Sequence, residues 1–304
     1  MWSSNLRLDR HIYTLYLVTA SDIVSVLVPQ TLFASFAALS GQFVDDRAHL
    51  PLGVLSARLP HVVLWLWLHL LVLDLANQRL PDSVAEDSLN KPWRPIPAGR
   101  LTPSGARHLL IFSIALTYVL SALLLGAVYE TLLLFALNWL YNDLGLANDH
   151  WFLRSLMNAA GLTTMGAGAL TVALHQDCGL TLDDGAAYRW FLLCAGVLLT
   201  TIQAQDLYDQ EGDAARQRST APLVWGDAAT RWSVAAAVLF WSISMPALLG
   251  LQLPEDGVAY VASASAGISV AARVLLRRGV AEDKATFKVW AVWLVFLYAL
   301  PLAV

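Results

Sequence analysis

Charge is scarce in this 304-residue chain. Asp, Glu, Lys and Arg make up only 14% of it, where soluble domains carry about 25%. That shortage excludes an ordinary water-soluble domain. The charges present sum to −4, which gives no electrostatic basis for binding nucleic acid. Cysteine is nearly absent: Cys178 and Cys194 are the only two. A disulfide framework is excluded, and the compartment stays open. Low-complexity tracts, long linkers and a separate soluble domain are missing as well. So is a convincing cleavable signal. The first apolar run contains Asp22 and is too long for a signal's apolar core, so it reads as a retained span.

What fills the chain is apolar: 57% of residues are hydrophobic and the mean hydropathy is +0.56. A bilayer-spanning helix needs about 20 such residues. Candidate spans are 11–39, 60–78, 104–128, 131–147, 155–174, 187–206, 229–252, 257–276 and 285–304. The expected fold class is all-α, a polytopic membrane protein of about nine helices. Span 131–147 is the weakest, because Asn138, Asn142 and Asp143 interrupt it. Pro60 is expected to open the second helix, and Thr102-Pro103-Ser104 to cap the third. With the N-terminus in the cytoplasm, sixteen basic residues, from Arg7 to Lys288, fall on the cytoplasmic side. Only Arg47, Arg58 and Arg189 fall opposite, a strong positive-inside bias.

Two polar stretches interrupt this background. In Gln205-Asp206-Leu207-Tyr208-Asp209-Gln210-Glu211-Gly212-Asp213, three aspartates stand at i, i+3 and i+7. On one helix they share a face, with Glu211 on another. Stacked like charges call for a cation, and hard oxygen donors suit Mg²⁺. The earlier stretch carries Asp74, Asn77-Gln78, Asp82, Glu86, Asp87 and Asn90, with Pro81 placed to open a short helix. Lys91 and Arg94 follow in a proline-stiffened loop and suit phosphate oxygens. Four spans separate the stretches, so both emerge on one face. Each half runs from an amide through carboxylates to basic residues and proline. The chain therefore reads as one intramembrane domain of two similar halves, roughly 1–150 and 151–304, around one cavity. Candidate metal ligands are Asp82, Glu86, Asp87, Asp206, Asp209 and Asp213, with Asp87, Asp206, Asp209 and Asp213 as the catalytic set. Lys91, Arg94, Asn77, Asn90, Arg216, Tyr141 and Asn142 are candidates for holding substrate. Carboxylates for Mg²⁺ beside cations for phosphate, in greasy surroundings, fit an isoprenoid diphosphate.

These motifs resemble the UbiA superfamily of intramembrane prenyltransferases, whose two Asp-rich motifs read N-D-x-x-D-x-x-x-D, with x-R-P following. Gln205-Asp206-x-x-Asp209-x-x-x-Asp213 matches with Gln for Asn. Asn90-Lys91-Pro92-Trp93-Arg94-Pro95 matches the tail of the first motif, and Asp87 its last aspartate. Ser83 stands where the middle aspartate falls, and Asn77-Gln78 lies two residues too far upstream. The Tyr-Pro and Lys-Arg segment of aromatic prenyltransferases is replaced by Trp139-Leu140-Tyr141-Asn142-Asp143-Leu144-Gly145, with no cation until Arg154. With Ser21-Asp22 in the first helix, the variant is similar to the fungal branch that includes UbiA-type terpene cyclases. The resemblance implies a nine-helix fold with a cavity open to the cytoplasm, integral to a lipid bilayer, the endoplasmic reticulum being expected. It implies a Mg²⁺-dependent cyclase of an isoprenoid diphosphate, farnesyl or geranylgeranyl. Alternatives are a prenyltransferase with a second acceptor and, from another class, an anionic-lipid transporter, which two acidic clusters disfavour. No protein partner is implied. Among Trp65, Trp67, Tyr118, Trp139, Tyr141, Trp190, Trp232, Trp241, Trp290 and Trp293, most should pack or sit at the interface and a few should face the cavity. Asp22, Asp74, Asn138, Asn142 and Asp143 should bond a neighbouring helix or face the cavity.

Overall fold

The structure, a computed structural model, describes residues 2–43, 50–174 and 185–304, with side chains from Asp9 onward. Arg47, Cys178 and the side chain of Arg7 lie outside the described residues. All the elements described are helical. They are α1 (Trp2–Thr19), α2 (Val28–Ser40), α3 (Leu52–Gln78), α4 (Pro81–Asn90), α5 (Pro103–Leu120), α6 (Val128–Asn138) and α7 (Leu146–Asp149). Then follow α8 (Trp151–Leu174), α9 (Ala186–Thr201), α10 (Gln210–Ala215), α11 (Ala221–Trp225), α12 (Asp227–Leu248), α13 (Gly257–Leu276) and α14 (Val280–Tyr298). Short π-helical turns precede α2 and extend α5 and α6.

Among the described residues, eight helices are long and apolar enough to cross a membrane. The segment expected as a further span, α6 with its π-turn over residues 128–143, is not among them. Sixteen residues span about 24 Å, short of a ~30 Å hydrocarbon core. Even so, the helix packs against α3, α5 and α8. Gly126, at φ +91°, turns the chain after α5. At the far end Asn142 accepts from Asn77 Nδ2 at 3.0 Å, and Asp143 pairs with Arg79. Both partners lie at the last turn of α3. The polar residues that made this span look weak are the bonds that pin it.

Two helix starts differ from the sequence reading. The first span is not continuous over 11–39: α1 stops at Thr19, and the crossing segment begins at Ile23. Ser21 and Asp22 sit in the break, and Pro29 opens α2. Pro60 does not open the second helix; it lies inside α3, eight residues after Leu52, within a 27-residue helix. Proline costs one backbone hydrogen bond, which membrane helices tolerate. Thr102 caps α5 as expected, accepting from Gly105 N at 3.0 Å.

Between helices in a bilayer there is little hydrophobic driving force, so close packing and interhelical hydrogen bonds hold them together. Gly168 of α8 lets Trp65 approach; a Cβ there would fall 2.2 Å from the indole. Trp65, Trp290 and Trp293 each donate the indole N–H to a hydroxyl on another helix: Thr131, Thr201 and Ser242, at 3.2, 3.1 and 2.8 Å. Large apolar residues such as Leu123 and Val258 face outward, toward lipid.

Candidate active site

The site forms where the polar ends of α3, α6, α8 and α9 meet, under a cap made by α4, α10 and the loops that follow them. Pro81 starts α4, which then presents Ser83, Glu86 and Asp87 on its buried side. The next segment is pinned by backbone turns: Arg94 N to Lys91 O at 2.9 Å and Ala98 N to Arg94 O at 3.0 Å. That holds Arg94, only 7% exposed, over Asp87. Its Nη1 reaches both carboxylate oxygens, at 2.8 and 3.0 Å, and its Nη2 lies 3.9 Å from Asp74.

The second stretch is not one continuous helix. The last turns after α9 tighten into a 3₁₀ segment over Ile202–Leu207, the chain breaks at Tyr208 and Asp209, and α10 restarts at Gln210. Asp206, Asp209 and Asp213 therefore do not stack on one face as expected. On one helix they would repel one another; here each turns to its own cation. Asp206 takes Arg154 Nη2 at 3.0 Å, Asp209 takes Lys91 Nζ at 3.5 Å, and Asp213 takes Arg218 Nη1 at 3.0 Å. Glu211 is exposed, as its spacing requires.

The two stretches are clasped together. Glu86 of α4 accepts from Arg216 and Arg218, each at 3.1 Å, and Asn90 donates to the Asp209 carbonyl at 3.4 Å. Gly212 makes the approach possible: a Cβ there would lie 2.1 Å from Asn90 Nδ2 and 2.9 Å from Glu86 Cγ. Burial raises the Glu86 carboxyl, but Arg218 and Arg216 outweigh it and hold the group below its usual range. For Asp87 burial wins over Arg94, and the carboxyl sits above its usual range. Asp209 is raised too, by burial, against the pull of Lys91 and with the push of Asp213 and Glu86.

Beneath this cap lies one cavity. Asp22, Asp74, Asn77, Glu86, Lys91, Arg94, Tyr141, Arg154, Asp209 and Arg218 line its polar end. Val72, Leu134, Phe135, Leu162, Met165, Ile202, Phe287 and Trp290 line the rest. One wall is a single face of α8: Arg154, Met157, Asn158, Gly161, Leu162 and Met165. Gly161 leaves open space there, with nothing within 4 Å of where its Cβ would be.

Several candidates sit elsewhere than expected. Asp82 is exposed on the first turn of α4 and does not line the cavity; an acid there favours the helix N-terminus. Asp87, Asp206, Asp213 and Arg216 stand just behind the wall, engaged in ion pairs. Asn142 is also behind it, bonded to Asn77 and, at 2.6 Å, to Asn138. Of the aromatics, Tyr141 and Trp290 reach the cavity, Trp65, Trp190 and Trp293 are packed inside, and Trp139 and Trp232 face outward. The sequence reading passed over Arg154, Arg218 and His69, all on the cavity wall. Their signal was a lone ionisable residue in or beside an apolar helix.

Around the site, seven carboxylates (Asp22, Asp74, Glu86, Asp87, Asp206, Asp209, Asp213) face five cations (Lys91, Arg94, Arg154, Arg216, Arg218), an excess of two acids. Among the described residues no three carboxylates are already gathered as a metal site. Yet Asp209 Oδ1, Asp213 Oδ2 and Asp74 Oδ2 are buried with no hydrogen-bond partner. Orphaned hard oxygens and surplus negative charge are the donor set a divalent cation such as Mg²⁺ takes, so the residues fit one.

Comparison with known proteins agrees with this architecture. The sequence model of the UbiA prenyltransferase family matches residues 53–298. A somaliensene A/B synthase from Streptomyces somaliensis is 30% identical, over 97% of this chain and 92% of the relative. The fumagillin beta-trans-bergamotene synthase of Aspergillus fumigatus is 33% identical over 77% of this chain and 74% of its own. The polyprenyl transferase eriF of Hericium erinaceus is 34% identical over 70% and 68%. In fold, a UbiA homologue from Archaeoglobus fulgidus bound to GPP and Mg²⁺ superposes with a TM-score of 0.63 at 12% identity, covering 96% of this chain and 99% of that one. The helical membrane fold, the paired polar stretches capping one cavity and the match over most of the sequence have one reading: the chain belongs to the UbiA prenyltransferase family.

Proposed function

We propose that this protein is a Mg²⁺-dependent intramembrane terpene cyclase that ionises farnesyl or geranylgeranyl diphosphate and closes the carbocation to a hydrocarbon. The observation that carries this reading is the cavity itself: an ionic cap over a largely apolar and partly aromatic chamber. Such a chamber holds a prenyl chain folded on itself and keeps water from its cation. Two of the relatives named above are terpene synthases, one of them matched nearly end to end. The transferase relative keeps a second reading alive, in which an acceptor molecule captures the cation.

Asp209 and Asp213, with Asp74 and Asp87 nearby, would hold Mg²⁺. When bound, the metal offsets charge on the diphosphate as its bond to carbon breaks. Lys91, Arg94 and Arg218 lie on the wall at that end and can donate to the departing diphosphate oxygens. They first have to loosen from Asp209, Asp87 and Glu86, so docking exchanges one set of ion pairs for another. Phe135, Phe287 and Trp290 line the chamber where the prenyl chain would lie, and aromatic ring faces attract cations. The basic residues of the polar end support a cytoplasmic orientation of this face, and we propose an endomembrane such as the endoplasmic reticulum as its location.

The test is incubation of the protein in membranes with geranyl, farnesyl or geranylgeranyl diphosphate plus Mg²⁺, with no acceptor. Hydrocarbon product is expected. Turnover only after an aromatic acceptor is added would select the transferase reading. Lipid movement in vesicles without turnover would point to transport.

A further inference from the structure

His69 has a place in the chemistry that no acidic motif announces. It lies on α3 within Trp65-Leu66-Trp67-Leu68-His69-Leu70-Leu71, an apolar run. The side chain is 3% exposed and lines the cavity. Its ring sits 4.0 Å from that of Trp65 and 6.0 Å from that of Phe135. Five residues separate it from Asp74, so it stands about 7.5 Å further along the helix from the ionic cap.

Its hydrogen bonding fixes the tautomer. Nδ1 is 2.8 Å from the Trp65 carbonyl oxygen. A carbonyl only accepts, so Nδ1 carries the proton and Nε2 is left with a lone pair. That Nε2 is buried and meets no hydrogen-bond partner. A buried acceptor without a donor is costly, and native proteins rarely leave one without a use. Other orphaned atoms on the wall do not compete for this role. Asp74 Oδ2 and Asp209 Oδ1 belong to the ionic cap, and Asn158 Nδ2 and Arg94 Nε are donors that cannot take a proton.

Resting on the cyclase reading, we propose that His69 is the base that ends the reaction. A C–H bond next to the cationic carbon breaks, and its electron pair becomes the new carbon–carbon π bond. The proton bonds to Nε2, making an imidazolium between the rings of Trp65 and Phe135. The proton then leaves with the diphosphate, so substrate is converted to hydrocarbon and protonated diphosphate with atoms and charge in balance. Placing the base in the chamber, away from the cap, lets the chain fold before the proton is lost.

Two variants test this. His69→Asn keeps an amide N–H where Nδ1 donates to Trp65 and removes Nε2; His69→Phe keeps the ring volume. Both are assayed in membranes with farnesyl and geranylgeranyl diphosphate plus Mg²⁺, following diphosphate release and product identity separately, with thermal melting as the fold control. Diphosphate release is expected to stay within about threefold of wild type. The hydrocarbon fraction should fall at least tenfold, replaced by alcohols from water capture or by alkenes with the double bond elsewhere. Unchanged product in a folded His69→Asn protein would overturn the role while leaving the cyclase reading standing. If Asn fails to fold, the same outcome in Phe decides it. Absence of hydrocarbon from the wild-type protein would instead remove the cyclase reading itself.

Discussion

At the residue scale, the acids that matter are those with an unused oxygen. Asp209 lines the cavity, carries a partnerless Oδ1 and is held by a single long contact to Lys91. Asp209→Asn should abolish turnover and leave the melting temperature near wild type, since the substitution also removes repulsion. Glu211→Ala, on the exposed side, should be neutral; activity against Mg²⁺ concentration for both variants is the measurement, and equal losses would discard the metal role. Arg94 differs, because it is structural before it is catalytic. Arg94→Ala leaves Asp87 and Asp74 buried without their cation, Asp74 keeping only the 3.4 Å bond from Gln78 Nε2, a loss of about 3–5 kcal/mol, and Lys should restore only part of it for want of the fork. Melting in detergent reads this out before any substrate is added. Glu86 sets an acid limit. Its carboxyl is held below the usual range of about 4. Its contribution is thus present at neutral pH and is lost as pH falls through the lowered value. Glu86→Gln should lower stability at pH 7 and flatten the acid limb of the melting profile.

At the scale of elements, the spans were legible because apolar length alone identifies a membrane helix. The two polar stretches were legible because carboxylates at such places are expensive. What could not be read was the path between Asp206 and Asp213. Their spacing suits a helix, and nothing local in Gln205-Asp206-Leu207-Tyr208-Asp209 announces a 3₁₀ turn and a break. Arg154 and Lys91 impose that path from other helices, and such tertiary partners leave no periodicity behind. Arg154 and Arg218 were hidden for the same reason: each looks like an ordinary loop or helix-end cation until its carboxylate is seen. The join between α4 and α10 makes its own prediction. Gly212→Ala pushes into Asn90 and Glu86, so it should separate the two stretches and cut activity at least tenfold. Melting should shift far less, because the spans do not depend on that contact. Activity and melting measured on the same preparation check this.

At the scale of the molecule, the spans among the described residues bring the charged groups of the cap to one end of the bundle and leave the more apolar part of the chamber below it. That division suggests how the protein tells one prenyl chain from another. Under the cyclase reading, the wall formed by α8 would serve as a ruler. From Arg154 at the cap to Met165 at depth, its facing residues cover eleven steps, about 16 Å of helix, and midway along it Gly161 is a missing graduation. A bulky side chain there would project into the space the longer tail needs. Gly161→Phe should therefore favour geranyl over geranylgeranyl diphosphate, and competition between the two substrates in one reaction would show whether chain length is measured at that notch.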